Sequence, residues 1–208
     1  ELAAEAFTAT MVSSVAHGPE AIDLTAEKDL FGIEHSVMDA VYFIGHEFII
    51  YLLKSALREE DAFRSISQRL PERLHDVAWK LICMWDRPIL EIDGMYDLVA
   101  ELKELGYGIY LLSNASVRQH EYWPKIPGWQ FFDGKIISAD EKVMKPHPDY
   151  YLRALERFKL IPGECVFIDD VSANIEGAMY CGIPGIVFHG DAKLLRSQLR
   201  EKGVNITE

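Results

Sequence analysis

Val166-Phe167-Ile168-Asp169-Asp170-Val171-Ser172-Ala173-Asn174-Ile175 decides the reading of this chain. An apolar run ends in two adjacent carboxylates and passes at once into a helical pattern from Asn174 to Tyr180. A buried strand that carries acids to its C-terminal tip puts them where open α/β sheets keep their ligands. One Asp would be enough to cap the following helix and meet the positive end of its dipole. Two side by side repel each other and raise a pKa, and a hard divalent ion with oxygen ligands relieves that cost. The pair reads as a cation site, with simple capping as the plainer alternative.

Outward from this segment the chain alternates short apolar strands with helices. Asp93 to Gly106 has helical apolar spacing (Met95, Leu98, Val99, Leu102, Leu105) and stops at a glycine, as helix ends often do. Strands are expected at Ile109 to Leu112, Lys135 to Ser138, Cys165 to Ile168 and Gly185 to Phe188. Helices are expected from about Asp149 to Phe158, up to Cys181-Gly182, and over Ala192 to Glu201. This order implies an α/β fold, a doubly wound parallel sheet with active groups at the strand C-termini.

Residues from about Asp23 to Asp86 differ. Apolar and aromatic residues recur at helical spacing (Val37, Val41, Ile44, Phe48, Ile49, Leu52, Leu53), with no strand pattern between them. Pro71 suits the first turn of a further helix. The expected organisation is a first core strand within residues 1–17, an all-helical cap over 18–90 and the α/β core over 91–208. The aromatic face Tyr42, Phe43, Phe48, Tyr51 reads as packing, and Glu59-Glu60-Asp61 as a solvated helix start.

Composition limits the function classes. The chain has 208 residues, a formal charge of −12, 49% hydrophobic and 26% charged residues, enough for a sizeable core. An acidic chain lacking clustered Lys and Arg is a poor partner for nucleic acid or an anionic membrane. The longest apolar candidate, Val37 to Leu57, is broken by Asp39, His46, Glu47 and Lys54, short of the roughly 20 residues a span needs. Cys83, Cys165 and Cys181 form no CxxC or Cys/His spacing and read as buried thiols of a cytoplasmic protein. Nothing near Glu1 reads as a signal peptide, and without an initiator Met, Glu1 is expected not to be the natural start.

Two more features fit the acidic tip. Leu111-Leu112-Ser113-Asn114-Ala115-Ser116 ends a strand in a hydroxyl and an amide where a helix begins, so donors there can face an anion. An ordinary Ser/Asn cap is the alternative. Met144-Lys145-Pro146-His147-Pro148 holds one lysine before a proline-stiffened turn. Alone it reads as solvated; between the two tips it could neutralise a phosphate or quiet the paired acids.

Ser113 in Leu-Leu-Ser-Asn, Lys145 in Lys-Pro-His-Pro-Asp-Tyr-Tyr, and Asp169-Asp170 in Phe-Ile-Asp-Asp-Val-Ser-Ala-Asn-Ile-Glu-Gly-Ala, in this order and spacing, resemble the second, third and fourth motifs of the haloacid dehalogenase-like hydrolases. The resemblance runs from about Pro88 to Phe188, and the helical segment before it is similar to the cap this superfamily inserts after its first strand. Within the superfamily the motifs look like the helical-cap, bacterial sugar-phosphate phosphatase branch. It implies Mg²⁺ as cofactor and a small phosphorylated metabolite as substrate. Ser113 and Asn114 would hold the transferring phosphoryl group, Lys145 would offset its charge, and Asp169 and Asp170 would hold the metal.

The family's attacker is an aspartate of an Asp-x-Asp pattern on the first strand. Counting back the family's distance from Ser113 lands on Phe7-Thr8-Ala9-Thr10-Met11-Val12. Thr10 stands at the position expected for the nucleophile and Val12 at that of the acid/base. An unassisted Thr hydroxyl is a weak nucleophile, and losing a carboxylate removes a metal ligand. Three explanations stay open: a non-catalytic relative that keeps the pocket, an altered N-terminus, or a helix over Ala3 to Ala16 in place of the strand. Two functions follow, a phosphatase-like hydrolase or a catalytically silent metabolite-binding or interaction protein on the same scaffold. His46, Tyr51 and Trp85 are candidates for setting substrate choice, each also plausible as packing, while His120 and His147 read as surface residues.

Overall fold

Phe167 and Ile168 are neighbours on one strand, both at most 3% exposed, and their side chains enter different cores. Successive strand side chains point to opposite faces, so a strand with two apolar neighbours in sequence needs helices on both sides. The computed structural model describes residues 6–7, 58–68, 72, 75–83 and 91–207, and it shows that layering.

In chain order the described elements are β1 (Ala6–Phe7), α1 (Glu59–Ser67), α2 (His75–Cys83), α3 (Met95–Glu104), β2 (Gly108–Ser113), α4 (Gln119–Tyr122), β3 (Gly134–Ile137), α5 (Ser138–Glu141), α6 (Pro148–Phe158), β4 (Phe167–Asp169), α7 (Ser172–Tyr180), β5 (Gly185–Val187) and α8 (Ala192–Glu201). All described pairings are parallel. β2 lies between β1 and β3, with Phe7 opposite Ile109 and Ser113 opposite Ile137. β4 pairs with β5, Asp169 opposite Val187.

One face is covered by α3 and α8, whose Leu98, Val99, Leu102, Leu195 and Leu199 pack on Ile109, Ile168 and Ile186. The other is covered by α6 and α7, with Tyr150, Tyr151, Ala154, Ile175 and Ala178 around Leu112, Ile136 and Phe167. Each fully buried aliphatic side chain contributes about 1.5–3 kcal/mol. The fold is the expected α/β, doubly wound arrangement, and helices α1 and α2 precede its main run.

Local differences from the sequence reading have plain causes. Helix α3 ends by αL glycine, Gly106 at φ 90, with Tyr107 N–H bonded to Leu102 O, and this turn leaves Leu105 47% exposed instead of in the apolar stripe. Cys165 is buried but precedes β4, in the 3₁₀ turn begun by Pro162. Cys181 is only partly buried. Trp123 is 6% exposed, with its ring edge-on to Phe132 at 5.0 Å. Trp129 does reach solvent.

Candidate active site

Ser113 ends β2 and Asp169 ends β4, two strands whose buried side chains share the same two cores. Lys145 joins them. Its Nζ donates to Leu112 O at 2.8 Å and to Asp169 Oδ2 at 2.6 Å, and the residue is 1% exposed. The ammonium thus bridges the residue before Ser113 on one strand to the acid ending the other. Of its three donors, these contacts use two. Burial pushes the Lys145 pKa below the ordinary lysine value, and Asp169 opposes that shift.

The backbone of Lys145 is held as firmly as its side chain. Asn114 Nδ2 donates to Lys145 O at 3.0 Å, and Lys145 N–H donates to Asn114 Oδ1 at 2.9 Å. The Lys145-Pro146 peptide is cis. Gly177 of α7 lets this turn come close: a Cβ there would lie 2.5 Å from Pro146 O. The His147 ring accepts from Asp149 N–H at the start of α6, so His147 caps a helix at the surface. His120 is also at the surface, 2.9 Å from Asp140.

The two acids have different surroundings. Asp169 is 2% exposed, and its Oδ1 accepts from Val171 N–H and Asn174 Nδ2, both at 2.9 Å, while Oδ2 takes Lys145. Asp170 is exposed. Its pKa is raised, first by partial desolvation and then by the charge of Asp169. A solvent-facing carboxylate that is costly to ionise gains from a cation. Among the described residues no cluster of three or more His, Cys, Asp or Glu forms a metal cage. Mg²⁺ commonly takes one or two carboxylates and completes its shell with water and substrate phosphate, so this donor set fits it.

Nothing in the sequence around Tyr150 marks it as part of the site. Its buried hydroxyl lies 2.8 Å from Ser113 O and 2.7 Å from Ile136 O, tying the ends of β2 and β3 together. The signal for Asn174 is a polar residue in the first helical turn after the paired acids. Glu59 corrects the expectation of a solvated helix start: it is 1% exposed and bonded to Ser116 and Arg118. Thr10, Val12, His46, Tyr51 and Trp85 lie outside the described residues.

The comparisons agree with this architecture. A wild-type haloacid dehalogenase family enzyme from Bacteroides thetaiotaomicron, solved with magnesium and inorganic phosphate, superposes with a TM-score of 0.67 over 92% of this chain and 98% of its own, at 18% identity. A predicted haloacid dehalogenase-like family hydrolase from Porphyromonas gingivalis gives 0.67 over 95% and 97%, at 19% identity. Among characterised proteins, glyceraldehyde 3-phosphate phosphatase of Pyrococcus abyssi is 31% identical over 100 residues, 47% of this chain and 42% of its own length. Flavin mononucleotide hydrolase of Arabidopsis thaliana is 26% identical over 116 residues, 56% and 47%. The chain thus spans about half the length of the curated relatives it matches. No helix among the described residues is long and apolar enough to cross a membrane. The family match itself covers residues 4–182, from before β1 to the end of α7, and on that extent the chain belongs to the haloacid dehalogenase-like hydrolases.

Proposed function

We propose that this chain is a Mg²⁺-dependent phosphatase-like hydrolase of a small phosphorylated metabolite, such as a sugar phosphate. One observation carries the reading: a buried ammonium, Lys145, is fixed between Leu112 O and Asp169 beside Ser113, with Asp170 open to solvent. A buried cation with a donor to spare, next to a strand-end hydroxyl, suits an oxyanion. The phosphatases among its relatives support the same class.

In this reading Lys145 and the Ser113 hydroxyl hold the phosphoryl oxygens. The Asn114 side chain is committed to the Lys145 backbone, so it orients the lysine. Asp170 offers the metal its open carboxylate, and Asp169 fixes Lys145 while keeping a lone pair on Oδ2. The ion, when bound, neutralises phosphate charge and helps align it for in-line attack. Helices α1 and α2 support assigning residues 18–90 to a cap that sets substrate choice, with 91–208 as the core.

Thr10 favours a second reading, a silent phosphate- or metabolite-binding protein, because no carboxylate stands at the expected nucleophile position. The experiment is incubation of the purified chain with Mg²⁺, p-nitrophenyl phosphate and a panel of sugar phosphates, repeated with Asp170→Asn and Asp169→Asn. Phosphate release that both substitutions abolish supports the enzyme. Thermal stabilisation by inorganic phosphate without turnover supports the binding protein. Turnover that survives both substitutions rejects the site.

A further inference from the structure

Glu59 opens α1, in a segment whose charge pattern reads as a solvated helix start, yet its side chain is 1% exposed. Its Oε1 accepts from Ser116 Oγ at 2.5 Å, and its Oε2 accepts from Arg118 Nε. Ser116 is 3% exposed and Arg118 7% exposed. The contact spans 57 residues of sequence. A carboxylate is buried at high cost unless paired and hydrogen-bonded, and here a guanidinium and a hydroxyl supply both. Ala62, one turn on, is 0% exposed, so α1 presents Glu59 and Ala62 as its buried face. A second link lies at the surface, where Arg58 and Glu121 pair at 3.2 Å. On α2, burial pushes the Cys83 thiol up to about 11, with the charges of Glu59 and Glu60 adding to the shift and Arg118 opposing it.

Ser116 and Arg118 follow Ser113 on the loop that leaves β2. The loop has other fixed points: Ser113 O on the Tyr150 hydroxyl, Asn114 on the Lys145 backbone, and Ala115, whose N–H donates to Ser138 Oγ at 3.0 Å. All of these come from the core. Glu59 alone among these anchors comes from the helical segment before it. We infer that Glu59 is a positioning residue for the loop Ser113 to Arg118, coupling helix α1 to the groups that bind phosphate; the phosphate part of this inference rests on the function proposed above.

Docking of α1 on the core and ordering of the Ser113 loop are then linked. Without the carboxylate, Ser116 loses its Glu59 acceptor and Arg118 its Glu59 contact, so this tie between α1 and the loop is weakened.

The test compares the wild-type chain with Glu59→Gln, which keeps the shape and removes the charge. Amide hydrogen exchange is followed at residues 113–118 and, as an internal control, at 167–180. Affinity for inorganic phosphate in the presence of Mg²⁺ is measured by calorimetry. The expected result is faster exchange at 113–118 with 167–180 unchanged, and phosphate bound about tenfold more weakly, within the usual range of coupling between sites. Unchanged exchange at 113–118, or an equal rise at 167–180, overturns the inference, since the second marks a merely structural effect. If wild type binds no phosphate while the exchange change stays local, the phosphate reading fails and the coupling stands. Should Glu59→Gln fail to fold, Ser116→Ala, which removes one tether, is judged by the same readouts.

Discussion

Lys145 Nζ lies 2.6 Å from Asp169 Oδ2, with both side chains 1% exposed. The acid has two further donors, Val171 N–H and Asn174 Nδ2, and the lysine has Leu112 O. Geometry of this completeness is what lets a buried pair offset its own desolvation. Lys145→Met leaves a buried carboxylate without its counter-ion and is expected to cost about 3–5 kcal/mol. Lys145→Met with Asp169→Asn removes both charges and should cost less than the sum of the single changes, by about 0.5–3 kcal/mol. Urea denaturation of the four proteins measures this; strict additivity would show that the pair is not coupled.

Asp170 predicts the opposite sign. Its folded-state pKa is raised, so its ionisation works against folding. The penalty is absent below the ordinary Asp value of about 3.9, where both states are protonated, grows as pH rises from there to the raised folded-state value, and is constant above it. Asp170→Asn is therefore expected to melt higher than wild type near pH 7 without metal, with the gain vanishing toward pH 3. On the proposed function Mg²⁺ is expected to raise the Tm of the wild-type chain, and the same substitution to abolish that rise. Thermal melts at both pH values, with Mg²⁺ and with EDTA, check both halves.

The fold was legible because its signals are local. Runs such as Ile109-Tyr110-Leu111-Leu112 and Val166-Phe167-Ile168 have no polar break, and only strands covered on both faces use such runs. The site motifs were legible because Ser113, Lys145 and Asp169 each sit where a strand or turn ends, which one sequence window shows. Partnerships across windows were not. Whether Asn114 faces phosphate or clamps the Lys145 backbone depends on how two loops approach each other. Glu59 looked solvated because an acidic run at a helix start normally is; its burial is set by Ser116 and Arg118, far along the chain. Leu105 failed for a smaller reason, since helical periodicity carries no information about the residue at which the helix stops.

Gly177 supports the lysine turn from behind. A Cβ on it would sit 2.5 Å from Pro146 O and 3.0 Å from Tyr151 Cε2. Neither neighbour can yield cheaply: the first is backbone, and Tyr151 is 0% exposed with its hydroxyl on Asn174 O at 2.6 Å. Alanine ordinarily favours a helix interior over glycine by about 1 kcal/mol, so propensity alone makes Gly177→Ala stabilising. Overpacking of this kind costs about 1–3 kcal/mol and should win. The expected outcome is net destabilisation with weaker binding of inorganic phosphate, because the displaced backbone is next to Lys145. Calorimetry and urea denaturation of the variant measure the two effects, and a more stable variant with unchanged binding would contradict the account.

Glu101 gives a test remote from the site. Its carboxylate, on α3, accepts from Arg196 of α8 and from Thr207 N–H at 2.7 Å, joining two helices and the chain's last described residue. The Arg196 hydrogen bond, then the Thr207 N–H, hold its pKa down to about 2 against an ordinary 4.5. A depressed acid contributes stability that is full above the unfolded-state value and is lost as pH falls toward the folded one. Part of the wild-type loss of stability between about pH 4.5 and pH 2 should therefore come from this group. Glu101→Gln is expected to be less stable near neutral pH and to show a shallower decline across that window, so the two proteins converge at its acid end. Urea midpoints at neutral pH and at steps down the acid limb read this directly. Parallel curves would show that the carboxylate's charge contributes nothing to holding α3, α8 and Thr207 together.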